Sequence, residues 1–161
     1  IEYALVYSDN RAIEMLNEFM YAQNDPENNV LLTFKDLGLL LPDDLEDRDI
    51  STRGYASLFR LLYNSSYLNH EYPEMILKEL ARSSFVMGLG SGVPSEIVVS
   101  HKFGERFLDD AKQLHDCGIV YYPKNPYLLC VMTRGNDFAD LAKVIQKTSE
   151  FVYEEVNARK L

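Results

Sequence analysis

The sequence predicts an α+β fold, and three observations carry that prediction. Apolar residues recur at helical spacing through residues 1–90, β-branched and aromatic runs follow residue 91, and helical spacing returns from Asp137 to the end. A helical block, then three antiparallel strands, then a C-terminal helix able to cover them is an α+β arrangement. At 161 residues the chain fits a single domain, 1–161, with a helical block over residues 1–90 and a sheet-and-helix block over residues 91–161.

The elements follow in order. Ser8-Asp9-Asn10 offers side-chain oxygens to cap a helix whose Ala12, Ile13, Met15, Leu16, Phe19 and Met20 share one face. Asn29 to Leu37 reads as a short helix that Gly38 can end in the left-handed conformation, and Leu39 to Asp49 as an acidic loop containing Pro42. Ser51 or Thr52 caps a helix with Tyr55, Leu58, Phe59 and Leu62, running toward Tyr67. Pro73 suits the first turn of the next helix, which buries Met75, Ile76, Leu77 and Leu80. After the glycine-rich turn Gly88 to Pro94, strands are expected at Glu96–Phe103, Gly118–Tyr122 and Tyr127–Met132, the last two joined through Pro123–Pro126. Asp137 then caps a long helix with Phe138, Leu141, Val144, Ile145, Phe151 and Val152 on one side.

Bulk properties exclude several functions. A formal net charge of −9 argues against binding nucleic-acid phosphates, which needs clustered Lys and Arg. No apolar run reaches the roughly 20 residues of a membrane span. The chain opens at Ile1 and runs directly into Tyr3-Ala4-Leu5-Val6, which reads as the middle of a longer sequence. Cys117 and Cys130 lack metal-ligand spacing and read as buried thiols, with a cross-strand disulfide as the alternative. No His/Glu spacing suggests zinc, and the glycine-rich turn enters a strand instead of a helix, which excludes a phosphate loop. His70 and His101 are isolated, His115-Asp116 reads as a structural pair at a strand start, and the 11 tyrosines read as packing residues.

Two stretches carry chemistry. Ser8-Asp9-Asn10 heads a helix, and Lys102-Phe103-Gly104 places an ammonium at the end of a strand beside a residue that lets a ligand approach closely. Together, in this order, they resemble the serine β-lactamases and penicillin-binding transpeptidases, most closely the class A type. That family carries S-x-x-K, then S-D-N at a helix head, then K-[ST]-G on a strand. The resemblance extends through Arg48-Asp49-Ile50-Ser51-Thr52, like the end of the omega loop, and through His115 to Tyr121 and Met132 to Gly135, like the later strands.

The resemblance implies acyl-serine transfer on a β-lactam or a D-Ala-terminated peptide, with no cofactor and no metal, in an extracytoplasmic setting. Ser8 would pass a proton to the leaving nitrogen, and Lys102 would lower the hydroxyl's pKa and attract a substrate carboxylate. Asn10 would hold the substrate amide, and Phe103, Gly104 and Arg134 would line its binding site. Three departures follow. No S-x-x-K occurs in the chain, so the nucleophile is expected from a missing N-terminal segment of the same protein. Phe103 replaces the family's hydroxyl residue. Asp43, Asp44, Glu46 and Asp47 supply no Glu-x-x-x-Asn, so the resemblance implies weak deacylation, or a non-catalytic relative that binds cell-wall peptide or a protein partner.

Overall fold

The computed structural model describes residues 1–22, 33, 36–38 and 50–159. The expected acidic loop at 39–49, and most of the helix expected at 29–37, lie outside these. Within that helix, the Leu37 N–H donates to the Thr33 carbonyl at 2.9 Å, and Gly38 takes the left-handed conformation at φ 65°.

The apolar run at the start forms a short helix, α1 (Glu2–Val6), which sequence periodicity over five residues could not reveal. It buries Ala4 and Val6, and the Val6 carbonyl accepts from the Ser84 N–H at 2.9 Å. Helix α2 (Asn10–Tyr21) is capped by Asp9, whose carboxylate accepts from the Ala12 N–H at 2.7 Å. Of the residues expected to share its apolar face, Met15, Phe19 and Met20 lie exposed. Helix α3 (Thr52–Tyr63) is capped by Ser51 and stops short of Tyr67, with Ser65 at φ 48° beyond its end. Helix α4 (Glu71–Leu80) buries Pro73, Leu77 and Leu80, while Met75 faces solvent.

Three antiparallel strands in the order β1-β2-β3 form the sheet: β1 (Val99–Phe107), β2 (Lys112–Val120) and β3 (Tyr127–Gly135). Each extends past its apolar run at one end, although β1 begins at Val99 instead of Glu96 and β2 stops at Val120 instead of Tyr122. Lys102 and Gly104 therefore lie mid-strand, not at a strand end, and His115-Asp116 lies inside β2, not at its start. The extensions contain Lys112, Gln113, Glu105 and Arg106, polar residues that ladder hydrogen bonds carry along once pairing is established.

Alternation divides the sheet's side chains between two cores. On one face, Cys117 and Ile119 pack with Phe59, Leu77 and Leu80 from α3 and α4. On the other, Val99, Leu114 and Val120 pack with Phe85 and Leu89, and with Leu141, Ala142 and Ile145 of helix α5 (Phe138–Arg159). Each large apolar side chain so buried contributes about 1.5–3 kcal/mol. Asp137 caps α5 through the Ala139 N–H at 2.8 Å, as its position in the sequence predicts. Val144 and Phe151 point outward, so the buried stripe of α5 is narrower than the sequence suggests. Cys117 and Cys130 are direct cross-strand partners, Cα atoms 4.0 Å apart, and are joined as a disulfide, so the alternative to free thiols is the one found.

Candidate active site

The site forms where the corner between α1 and α2 meets the outer edge of β1. Ser8 sits on that corner at φ 53°, a left-handed conformation that non-glycine residues seldom adopt. The corner is closed by the Asp9 N–H donating to the Tyr3 carbonyl at 3.1 Å, and Asp9 is otherwise occupied in capping α2. Asn10 follows as the first residue of α2, exposed to solvent.

Lys102 comes from β1, 94 residues later, and its ammonium donates to the Ser8 hydroxyl and to the Phe103 carbonyl, the latter at 2.7 Å. The strand register explains how. The Val98 carbonyl accepts from Tyr121 and the Leu108 N–H donates to Ala111, so even-numbered residues of this strand turn their backbone groups toward β2. Odd-numbered Phe103 and Glu105 therefore present theirs along the edge strand's free side, where Ser8 stands. Even-numbered side chains face α3 and α4: Ser100 donates to the Leu77 carbonyl at 2.7 Å, and Lys102 leaves the sheet on the same face.

Burial pushes the Lys102 pKa below the ordinary lysine value, because desolvation disfavours the ammonium; the negative charge of Asp116 opposes this. Tyr55 of α3 donates its hydroxyl to the Lys102 carbonyl at 3.0 Å. Burial first, and Asp116 second, raise the Tyr55 pKa, so this phenol stays a donor. Phe103 stacks on Phe85 with ring centroids 4.6 Å apart, and the Lys102 ammonium lies 4.8 Å from the Phe103 ring. Gly104 has open space where a side chain would stand.

The structure thus brings Ser8, Lys102 and Phe103 together, with Asn10 and Gly104 one or two residues away in the chain. Arg134 is not among this group. It lies on β3 opposite Gln113, itself opposite Arg106, about 13 Å along the strand and about 10 Å across the sheet from Lys102. Its guanidinium pairs with exposed Asp110 at 3.1 Å. Sequence reasoning missed Tyr55, and it read His101 and Asp116 as unconnected residues. A clue lay in Asp116, a charged residue that leads directly into the apolar run Cys117 to Val120. The acidic residues weighed for water activation lie outside the described residues, and among the described residues no cluster of three His, Cys, Asp or Glu could hold a metal.

The model of the β-lactamase enzyme family matches residues 1–156. The chain belongs to that family. The solved structure of PBP-A is similar at 21% identity and TM-score 0.77, covering 98% of this chain and 60% of that one. A β-lactamase from Chitinophaga pinensis DSM 2588 is similar at 19% identity and TM-score 0.81, covering 96% of this chain and 63% of its own. An ancestral class A β-lactamase is similar at 19% identity and TM-score 0.79, covering 96% and 63%. At these identities the likeness shows the β-lactamase/transpeptidase fold. The chain spans 60–63% of the length of these three structures. A mutant of PBP-A, 20% identical, is an acyl-enzyme complex with penicillin G. Comparison by sequence with curated proteins gives no match.

Proposed function

We propose that this β-lactamase-family segment serves acyl-serine transfer on β-lactams or D-Ala-terminated peptides, in an extracytoplasmic setting. The observation that supports this best is the Lys102 ammonium against the Ser8 hydroxyl, two groups 94 residues apart in sequence. In this reading the nucleophilic serine lies outside the 161 residues, which contain no S-x-x-K. That serine gives its proton to an adjacent base of the same segment and attacks the carbonyl carbon, and the bond to nitrogen breaks as Ser8 gives its own proton to the leaving nitrogen. Lys102, a better proton donor for its lowered pKa, resupplies Ser8 and draws an anionic substrate to the edge of β1. The Glu105 N–H, facing outward by strand parity, is positioned to receive the oxyanion. Asn10 orients the substrate amide from the head of α2.

The Phe85–Phe103 stack favours a second reading, a binding module without turnover. A ring stands where the family has a hydroxyl for the substrate carboxylate, so anion recognition rests on Lys102.

One experiment separates them. The full gene product is incubated with a fluorescent penicillin and resolved on a denaturing gel, and its coding sequence ahead of Ile1 is read for S-x-x-K. Covalent labelling that Ser8→Ala and Lys102→Met abolish supports acyl transfer, and persistence of the label measures deacylation. An unlabelled protein lacking S-x-x-K is the binding module.

A further inference from the structure

Behind the edge of β1 lies a carboxylate that the roles above do not use. Asp116 is fully buried, on the sheet face opposite α3 and α4, and stands directly across from Phe103 in the register. Its Oδ2 accepts from the Leu89 N–H at 2.8 Å, and its Oδ1 lies 2.8 Å from His101 Nδ1. A carboxylate only accepts, so Nδ1 carries the proton. Asp116 thereby fastens the glycine-rich turn to the residue immediately before Lys102. The surroundings are cut to admit it: a Cβ at Gly88 would lie 2.1 Å from Asp116 Oδ2, and one at Gly118 would lie 2.5 Å from the His101 Cβ.

Stability is a weak reason for such a network. Taking a carboxylate out of water costs several kcal/mol, and well-packed apolar residues often stabilise a core as well or better. Its charge, however, is felt at the site. It opposes the effect of burial on Lys102 and reinforces it on Tyr55. The groups set against Lys102 are the Ser8 hydroxyl, the Phe103 carbonyl and ring, and the Tyr55 phenol at its carbonyl, while this acid acts on it through the sheet from the opposite face. Those set against Asp116 are His101 from β1, the Leu89 N–H from the turn, and apolar Val131 across β3.

We propose that Asp116 is a positioning residue for Lys102: gripping the turn and His101, it fixes the strand that carries the ammonium and supplies the buried negative charge behind it. The proposal rests on the acyl-transfer reading only for what Lys102 is used for, and its test does not need turnover. The full gene product is labelled with ε-13C-lysine, the Lys102 resonance is identified by its loss in Lys102→Met, and its alkaline titration is followed by NMR. Asp116→Asn preserves shape and an acceptor for Leu89 while removing the charge. The Lys102 midpoint should move to lower pH, and the alkaline limb of penicillin labelling should move with it. A folded Asp116→Asn whose Lys102 titrates as in the wild type overturns the proposal. If that variant does not fold, Asp116→Glu decides, because it keeps the charge but cannot hold both partners. An unchanged midpoint with slowed labelling supports the proposal, and either a lowered midpoint or labelling at the wild-type rate overturns it. A wild type that penicillin never labels overturns the acyl-transfer reading and leaves the NMR result to stand alone.

Discussion

Ser8 and Lys102 touch, yet the two sides of the contact are held in different ways. Ser8 rides on a corner in a left-handed conformation, fixed by the Asp9–Tyr3 backbone bond, the Val6–Ser84 bond and an exposed Arg82–Glu2 pair at 2.8 Å. Lys102 sits mid-strand, with Tyr55 bonded to its own carbonyl and buried Asp116 bonded to the preceding side chain. One side is strained and partly exposed; the other is fastened from within the core. Substitutions at the corner should therefore separate activity from stability cleanly, while those behind the strand should disturb both.

The largest effect is expected at Lys102 itself. Lys102→Met should slow penicillin labelling by on the order of 10²–10⁴-fold, the usual worth of a positioned proton-transfer group. Stability should not fall with it. Because burial lowers the folded-state pKa, the unfolded chain binds the extra proton between that value and the ordinary lysine value. Wild-type stability thus rises with pH across that window, and below it the protonated ammonium weighs against the fold. Thermal melts at neutral pH should find Lys102→Met as stable as the wild type or more so. A marked drop would mean that the ammonium holds the sheet edge together, and the contrast between the two sides would fail.

Ser8→Gly tests the other side. Labelling should fall roughly 10²-fold with loss of the hydroxyl. The left-handed strain of about 1–2 kcal/mol disappears, while glycine's extra freedom when unfolded returns about 0.4–1 kcal/mol. Urea denaturation should show a net gain of between zero and about 1.6 kcal/mol. A loss instead would show that the Lys102–Ser8 contact, not the backbone, fixes the corner.

How far these features could be read in the sequence follows from what kind of force makes each. Capping is local, so Asp9, Ser51 and Asp137 were legible from residue type and spacing. Helix ends and faces were less so: Met75, Val144 and Phe151 share the period of buried neighbours yet face water. Strand limits failed where polar residues continue a ladder, which hid both Lys102's mid-strand position and the burial of Asp116. The Ser8–Lys102 meeting was legible only through family resemblance, since nothing local links residues 94 apart. The Tyr55 bond was not legible at all, because a helix tyrosine looks the same whether its hydroxyl meets a carbonyl or water.

That bond gives the next prediction. Tyr55→Phe leaves the packing against Phe59 and removes one hydrogen bond, costing about 0.5–1.5 kcal/mol in urea denaturation. Because the carbonyl belongs to Lys102, labelling should slow as well, and by more than any corner variant of equal stability cost that keeps the Ser8 hydroxyl. Equal slowing would mean that β1 is positioned by its ladder alone.

The smallest effect belongs to Arg134. The family resemblance would place a cation from the last strand near the substrate carboxylate, whereas the guanidinium pairs with Asp110, both side chains more than half exposed at 57% and 78%. Exposed pairs of this kind contribute little, so Arg134→Ala should change stability by no more than about 0.5 kcal/mol. Penicillin labelling should keep its rate and its dependence on salt, because the nearest ammonium to the substrate is Lys102. A large rise in the penicillin concentration needed for half-maximal labelling would show that the side chain swings across the sheet when an anion binds. Lys102 would then share carboxylate recognition, and Phe103 would be compensated from β3 in place of standing as a loss.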